Sequence, residues 1–464
     1  MTLRAPLARS RITLCALALL ACDRAPREPA ESTPNASAAP SAPAPSAEPK
    51  ASAPAPLPPL SVLLITVDSL RADMPWTGYP RDVAPNLSRL AAEGVVYSHA
   101  YALSSYTSMS LAGLMAGRHP SELPRDGRAT SSFLPEADFL AEHAAAAGLH
   151  TIGVHGHVYF LGATGISQGF ARWRLFPKIV LHPAREGAVV DPTLTDLLLE
   201  ELREHHQKPA APRSFSWVHY MDPHFSYVRH PGVEPYRGSP YAEGQDPVPP
   251  GAPLSAVGQS LRNQYDGEVR HTDQQIGRLL TELSKEPWAD ELAIVVTADH
   301  GEAFGEHKSY FEHGFLLYEV TTRVPLLFKI PGVAPRRIDA RRSHLDLART
   351  LLELLNVEAP SAMRGESLVP ELRGLVTPTD RDIVIDMPYT DQSPRRRALI
   401  HGDLKLIVTE TDQRPQLFDL EADPSERQDL GADTERAAPL LERLKQLEAA
   451  RPDYPAPRLS RRQY

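Results

Sequence analysis

The stretch Ala293-Ile-Val-Val-Thr-Ala-Asp-His-Gly-Glu-Ala-Phe-Gly-Glu-His307 decides how the rest of the chain is read. Ala293 to Thr297 is a short apolar run, rich in β-branched side chains and bounded by polar sequence. That is the pattern of a strand buried on both faces of a sheet. It ends in Asp299-His300-Gly301, which delivers a carboxylate and an imidazole at the carboxyl end of the strand, the edge where open α/β sheets bind ligands. Gly301 lets the backbone turn tightly there. Taken alone, the pair reads better as a cap on the next segment. A second apolar run, Leu60 to Val67, leads directly into Asp68. Two buried strands that both end in metal-type side chains point to a shared cation site.

Around these two strands the chain alternates apolar runs with helical periodicity. Pro85 opens a helix closed by Gly94, and Val95 to Ala100 reads as a strand. Ser104 to Gly117 reads as a turn and a helix of small residues. Glu136 to Ala147 predicts a helix and Thr151 to Val154 a strand. Asp191 to His206 is an amphipathic helix with Leu194, Leu197, Leu198 and Leu202 on one face. Phe215 to His219 is a strand, Leu261 to Leu283 a helix and Val324 to Ile330 another buried strand. This alternation implies an α/β fold, a large mostly parallel sheet sandwiched by helices. Beyond about Asp380 short strands follow one another (Ile383 to Met387, Arg397 to His401, Lys405 to Thr409, Leu417 to Leu420), and a helix covers Ala438 to Ala449. That predicts a small C-terminal antiparallel subdomain.

The first residues read as targeting sequence. Arg4, Arg9 and Arg11 precede a short apolar segment, Ile12 to Leu20. The segment closes on Leu19-Leu-Ala-Cys22, which resembles a bacterial lipobox. The resemblance makes residues 1–21 a signal peptide and Cys22 the lipid-bearing residue, and it places the protein in the bacterial cell envelope, anchored to the membrane and facing the periplasm. The only other cysteine, Cys15, is then discarded. The folded part is left without a disulfide, a thiolate zinc site or a thiol nucleophile. Residues 22–59 are Pro, Ala, Ser and Glu with few large apolar side chains, an extended tether. A catalytic domain over 60–375 and the subdomain over 376–464 complete the organisation. The 464 residues are 42% hydrophobic and carry a net charge of -9 with no long basic run, which argues against a nucleic-acid partner. No obligate protein partner is evident.

Several further segments belong with these strands. They are Val67-Asp68-Ser-Leu-Arg-Ala-Asp73, Ser105-Tyr-Thr-Ser-Met-Ser-Leu-Ala-Gly-Leu-Met-Ala-Gly117, His219-Tyr-Met-Asp-Pro-His224, Tyr265-Asp-Gly-Glu268, Asp299-His-Gly-Glu302 and His313 to Phe328. With the tail Gly402 to Ile407 and Leu417 to Leu420, they resemble the sulfatase family of the alkaline phosphatase superfamily over nearly all of the chain after Pro59. The resemblance implies one divalent metal ion (Mn²⁺, Zn²⁺, Mg²⁺ or Ca²⁺) on Asp68, Thr107, Asp299 and His300. The family often has a second Asp where this chain has Ser69, a loss of negative charge that disfavours calcium. His224 and His313 take the places of oxyanion contacts and leaving-group acids. Asp222, His224 and His313 form an alternative second-metal set.

At the nucleophile the chain departs from the family. Formylglycine sulfatases carry C-x-P-S-R or S-x-P-S-R. Counting back from Gly117 puts Thr107 at that place, followed by Ser108, Met109 and Ser110, without the Pro or the Arg. Oxidation of a threonine would give a ketone instead of the aldehyde that sulfatase turnover uses. An unmodified Thr107 hydroxyl on a metal at a helix N-terminus resembles the centre of superfamily phosphotransferases and phosphodiesterases, lipoteichoic acid synthases among them, which pass through a phosphothreonine. Ser105, Ser108 and Ser110 are the competing hydroxyls, and Thr107 as a simple helix cap is the bland alternative. Arg118 and His119 read as anion contacts or a solvated helix end, and His307 as part of a lid loop. Tyr265, Glu268 and Asp273 read as structural, and His155 and His157 carry no assigned role. The expectation is a threonine-dependent phosphate-ester hydrolase or transferase acting on a small-molecule, lipid or glycan ester. A sulfuric ester hydrolase is the nearest alternative, and a silent binding protein the alternative from another class.

Overall fold

The computed structural model describes residues 57–161, 164–177, 189–238, 254–307 and 310–457. The segment expected to be a signal peptide, Cys22 and nearly all of the expected tether lie outside the described residues, as do parts of the loops 160–192 and 227–253, where the sequence carries no readable substrate signature. No described helix is long and apolar enough to cross a membrane.

In chain order the first half contains β1 (Ser61–Val67), α1 (Pro85–Glu93), β2 (Val95–Tyr101), α2 (Thr107–Ala116), α3 (Leu140–Ala146), β3 (His150–His155), β4 (Arg172–Leu175), α4 (Asp191–His206), β5 (Ser214–Tyr220) and α5 (Ala256–Leu283). The second half runs through β6 (Leu292–Ala298), the hairpin β7 (Ala303–Phe304) and β8 (Phe311–Glu312), α6 (Glu319–Thr322), β9 (Arg323–Lys329), β10 (Arg336–Ile338), β11 (Arg342–Ser343), α7 (Leu347–Leu354) and α8 (Val369–Leu372). Strands β12 (Ile383–Met387), β13 (Arg396–His401), β14 (Leu404–Thr409) and β15 (Gln416–Asp419), then α9 (Thr434–Ala449), complete the described chain.

A nine-stranded sheet forms the body, in the order β10-β2-β9-β6-β1-β5-β3-β4, with β11 also on β2. β1 pairs in parallel with β5 and β6, and β3 in parallel with β4 and β5. β9 runs antiparallel to both its neighbours. All seven residues of β1 are buried, as its unbroken apolar run requires of a central strand covered on both faces. Its large aliphatic side chains each contribute roughly 1.5–3 kcal/mol of transfer free energy.

α2 is buried along its whole length, which its small and apolar residues permit. It ends at Gly117 in the left-handed conformation (φ 57°), as a helix-terminating glycine does. The helix expected over Glu136 to Ala147 is shorter than its periodicity suggests. Asp138 turns left-handed (φ 60°) and separates a single tight turn at Pro135–Ala137 from α3. α5 begins earlier than expected, because the Ser255 hydroxyl caps it by accepting from Gly258 N at 3.1 Å.

The C-terminal sheet is antiparallel, ordered β12-β13-β14-β15. Leu399, Leu406 and Leu417 pack under Ala437, Leu440 and Leu444 of α9. Ile383, Ile385, Ile400, Ile407 and Phe418 face the main body at Leu317, Tyr318 and Val320. The strand alternation therefore divides two buried faces.

Candidate metal centre and active site

Pairing sets the strand ends level. Val67 of β1 stands opposite Ala298 of β6 and Tyr220 of β5, and His155 of β3 stands opposite His219 of β5. The residues just past those positions gather at one edge: Asp68, Asp299-His300, His157, and the turn that carries His224.

Ser69 adopts the left-handed conformation (φ 57°), a strained choice for a residue with a side chain. The strain has a use: it turns Ser69 N–H back onto Asp299 Oδ1 at 3.1 Å and its hydroxyl onto Asp68 Oδ1 at 2.8 Å. Asp299 Oδ1 also accepts from His300 N at 2.8 Å. Oδ2 of the same carboxylate receives no hydrogen bond of good geometry, although the residue is fully buried.

His300 Nδ1–H donates to Gly301 O at 2.9 Å, which leaves the lone pair on Nε2. That nitrogen lies 3.2 Å from Asp299 Oδ2, 4.0 Å from Asp68 Oδ1 and 3.0 Å from Thr107 Oγ1. Thr107 is the first residue of α2, so the positive end of the helix faces the same point. The rival hydroxyls are engaged elsewhere. Ser105 points at Met387 Sδ (3.8 Å), Ser108 donates to Ala129 O (3.1 Å) and Ser110 donates to Asp299 O (2.5 Å).

A relay behind the site orients Asp68. Trp217 Nε1–H donates to Thr66 Oγ1 (2.8 Å), the Thr66 hydroxyl meets His219 Nδ1 (2.8 Å), and His219 Nε2–H reaches Asp68 Oδ2 (3.2 Å). Every member is fully buried. Asp68, His157 and His224 each offer a ligand atom within 4.8 Å of the others, as do Asp68, His300 and His313, and Asp68, His219 and Asp299. The His313 ring stacks on His300, with centroids 4.2 Å apart, and its Nδ1 meets Glu302 Oε1 at 3.1 Å. His224 closes the mouth, its ring 4.9 Å from that of His313.

The two central carboxylates are driven apart. Burial raises both, but the imidazoles of His224, His219 and His300 overcome it at Asp68 and hold that group well below the usual carboxylate range. At Asp299 burial and the charge on Asp68 push the carboxyl well above it. Two buried carboxylates this close do not both ionise without a cation between them. Burial also lowers His300 and His313 to about 3, so both are neutral imidazoles, and it raises Glu302 to about 7.

A divalent cation fits this donor set: two carboxylates, one of them with an orphaned buried oxygen, an imidazole with a bare Nε2, and a hydroxyl. Asp68, Asp299, His300 and Thr107 would hold it.

Sequence reasoning gave no role to His157, His219 or Glu302. The signal for His157 was present, since it follows β3 at the same sheet edge as Asp68. Glu302 stood inside a quoted motif without a role. Other expectations need correction. Asp222 does not join His224 and His313, because its Oδ1 is tied to Val190 N at 2.9 Å and its other oxygen faces His230 and His271. Arg118, beyond the far end of α2, donates to Glu122 O (2.9 Å). His119 is buried, and His307 is buried against the Tyr318 ring at 3.8 Å instead of lying on an open lid.

A mostly parallel sheet whose carboxyl edge gathers carboxylates and imidazoles around a helix-terminal hydroxyl defines an α/β hydrolase of ester bonds. The chain belongs to the sulfatase family: the Sulfatase family model matches residues 61–357, and the model for N-sulphoglucosamine sulphohydrolase, C-terminal, matches residues 305–452. It is similar to choline-sulfatase of Rhizobium meliloti, at 26% identity over 79% of this chain and 81% of the relative. It is also similar to the multifunctional alkaline phosphatase superfamily protein PehA of Trinickia caryophylli, at 29% identity over 38% of each chain. The fold is shared with the phosphonate monoester hydrolase of Silicibacter pomeroyi (TM-score 0.66, 20% identity, 85% of this chain and 96% of that one).

Proposed function

We propose that this ester hydrolase cleaves or transfers a phosphate mono- or diester with Thr107 as its nucleophile. The observation that carries the reading is the Thr107 hydroxyl, buried, 3.0 Å from the bare Nε2 of His300 and beside the Asp299 carboxylate, in a folded part that contains no cysteine.

A bound divalent ion would supply Lewis-acid character at the Thr107 oxygen and at the ester oxygens. The remaining work falls to the chain. The first turn of α2 stabilises negative charge on Oγ1, typically by about 0.3–1 kcal/mol at exposed helix ends. His157, whose Nδ1 accepts from Tyr159 N at 3.0 Å, presents Nε2–H to the anionic group, and His224 at the mouth, whose Nδ1–H is spent on Phe225 O, adds a donor as the imidazolium. His313 shares a proton with Glu302 through Nδ1. With Glu302 protonated near neutrality, His313 carries its own hydrogen on Nε2, gives it to the departing ester oxygen and takes the Glu302 proton on Nδ1, and the proton that Thr107 loses passes to water. The ester oxygen leaves as an alcohol, the phosphoryl group is held on Thr107, and water or a second alcohol removes it.

Sulfuric ester hydrolysis at the same centre is the second reading, favoured by the similarity to choline-sulfatase over most of both chains. Metal-stripped protein, resupplied with Mn²⁺, Zn²⁺ or Ca²⁺, separates the readings on nitrophenyl phosphate, phosphodiester and sulfate. The expected result is metal-restored turnover of the phosphoryl compounds. Turnover of the sulfate alone supports the second reading, and neither metal binding nor turnover returns the protein to the class of silent binders. The proposal extends to the envelope: the lipobox-like Leu19 to Cys22 supports a periplasm-facing lipid anchor. Cys22→Ala should then move the protein from the membrane fraction to the soluble one.

A further inference from the structure

A second group of ligating side chains lies outside the centre built on Asp68. Asp222 follows β5, His230 stands on the loop beyond it, and His271 and Glu268 project from α5. Asp222, His230 and His271 are all buried, and each offers a ligand atom within 4.8 Å of the others. Their spare atoms have no hydrogen-bond partner: Asp222 Oδ2, His230 Nδ1, and both ring nitrogens of His271. Polar atoms left unpaired at that depth destabilise a fold. One such atom from each of the three residues, gathered around one point, needs an explanation that packing does not give.

We propose that Asp222, His230 and His271 form a second, structural site for a divalent transition ion of the zinc class. Two imidazoles and a carboxylate are a donor set that zinc takes, with a water or a further oxygen as fourth ligand. The spacing agrees: His271 Nε2 lies 3.4 Å from Asp222 Oδ2, and zinc bonds of 2.0–2.1 Å set a tetrahedral edge of about 3.4 Å. His230 is held from behind but not yet aimed. Its Nε2 is tied to Glu268 Oε2, so the free Nδ1 becomes the ligand and the carboxylate orients the ring from behind. Asp222 is anchored through Oδ1 on Val190 N, which leaves Oδ2 to the ion. The His230 and His271 rings lie face to face, with centroids 3.8 Å apart and planes 7° from parallel. Two parallel rings cannot both aim an in-plane lone pair at one ion, so binding requires His230 to tilt on its Glu268 contact.

The site would staple the segment 221–230 to α5. That segment carries His224 at the mouth of the active site and Tyr227, whose hydroxyl donates to Glu302 Oε2 at 3.1 Å. Metal here would set the stiffness of the loop that faces the substrate without touching the reacting atoms.

The test uses the full-length chain with the first centre disabled, Asp68→Asn with Asp299→Asn, dialysed against chelator and then titrated with Zn²⁺. Metal content, calorimetry and melting temperature are the readouts. We expect this protein to bind one equivalent and to melt higher when loaded. Adding His271→Leu should abolish both effects. If that variant fails to fold, zinc absorption-edge spectroscopy on the parent counts the ligands, and two imidazoles with oxygen are expected. A parent that binds no zinc, zinc retained after His271→Leu, or a spectrum without imidazole would each overturn the proposal.

Discussion

At Thr107 the competition among neighbouring hydroxyls is decided by where each one points. Ser105, Ser108 and Ser110 spend their hydroxyls on Met387, Ala129 and Asp299 backbone or side-chain acceptors, and the Thr107 hydroxyl faces Asp299 and His300. With Thr107 as the proposed nucleophile, Thr107→Ala should lower turnover by about 10³-fold or more with an unchanged melting temperature, since a nucleophile has no substitute in the first step. Thr107→Ser, which keeps the oxygen, should retain a measurable part of the rate. The buried relay from Trp217 through Thr66 to His219 makes a separate prediction. His219→Ala frees Asp68 to rotate, and metal affinity should fall by roughly 10–100-fold, read by titration, as losses behind a metal ligand generally do. Asp68, Asp299 and His300 were legible in the sequence because each directly ends an apolar run. His219 was not, because its role depends on Thr66 and Trp217 lying on two adjacent strands, a contact that no spacing within one segment records.

Elements place these side chains by register and by close backbone approach. Gly301 sits where a Cβ would come within 2.2 Å of Val320 O and 3.1 Å of its carbonyl carbon. Gly301→Ala must push α6 away from the end of β6. We expect a loss of about 1–3 kcal/mol in denaturant unfolding, together with weakened metal binding, because His300 is the adjacent residue. A normal unfolding midpoint in this variant would show that the approach is looser than described. The strands that form the sheet centre were readable as unbroken apolar runs, and the C-terminal strands as alternating ones. β4, with its Arg172-Trp-Arg-Leu175 sequence, was not, because an edge strand is half solvated and its arginines pair with Glu201 across to α4. The antiparallel direction of β9 was equally hidden, since a buried strand has the same composition in either direction.

Across the whole molecule, burial of histidines ties stability to pH. His119 and His344 are buried away from the metal ligands, and desolvation lowers each to about 3. Their folded values lie below the unfolded value near 6.5, so their contribution is complete above about pH 6.5 and is lost progressively as pH falls toward 3. By pH 5.5 each should have cost about 1.4 kcal/mol, and the urea midpoint should drop accordingly between pH 7.5 and 5.5. A flat midpoint over that range would contradict the burial of both rings. At the same scale, the fold and family were legible from the order of several short segments along the chain, whereas the loops that select a substrate carried no pattern. The account as a whole rests on a threonine oxygen that takes the transferred group. The most direct measurement is a rapid quench with excess phosphate ester, followed by proteolysis and mass spectrometry of the peptide that contains Thr107. A phosphoryl adduct on Thr107 is the predicted result. Turnover with the adduct on a neighbouring serine, or with Thr107 unmodified at every quench time, would contradict it.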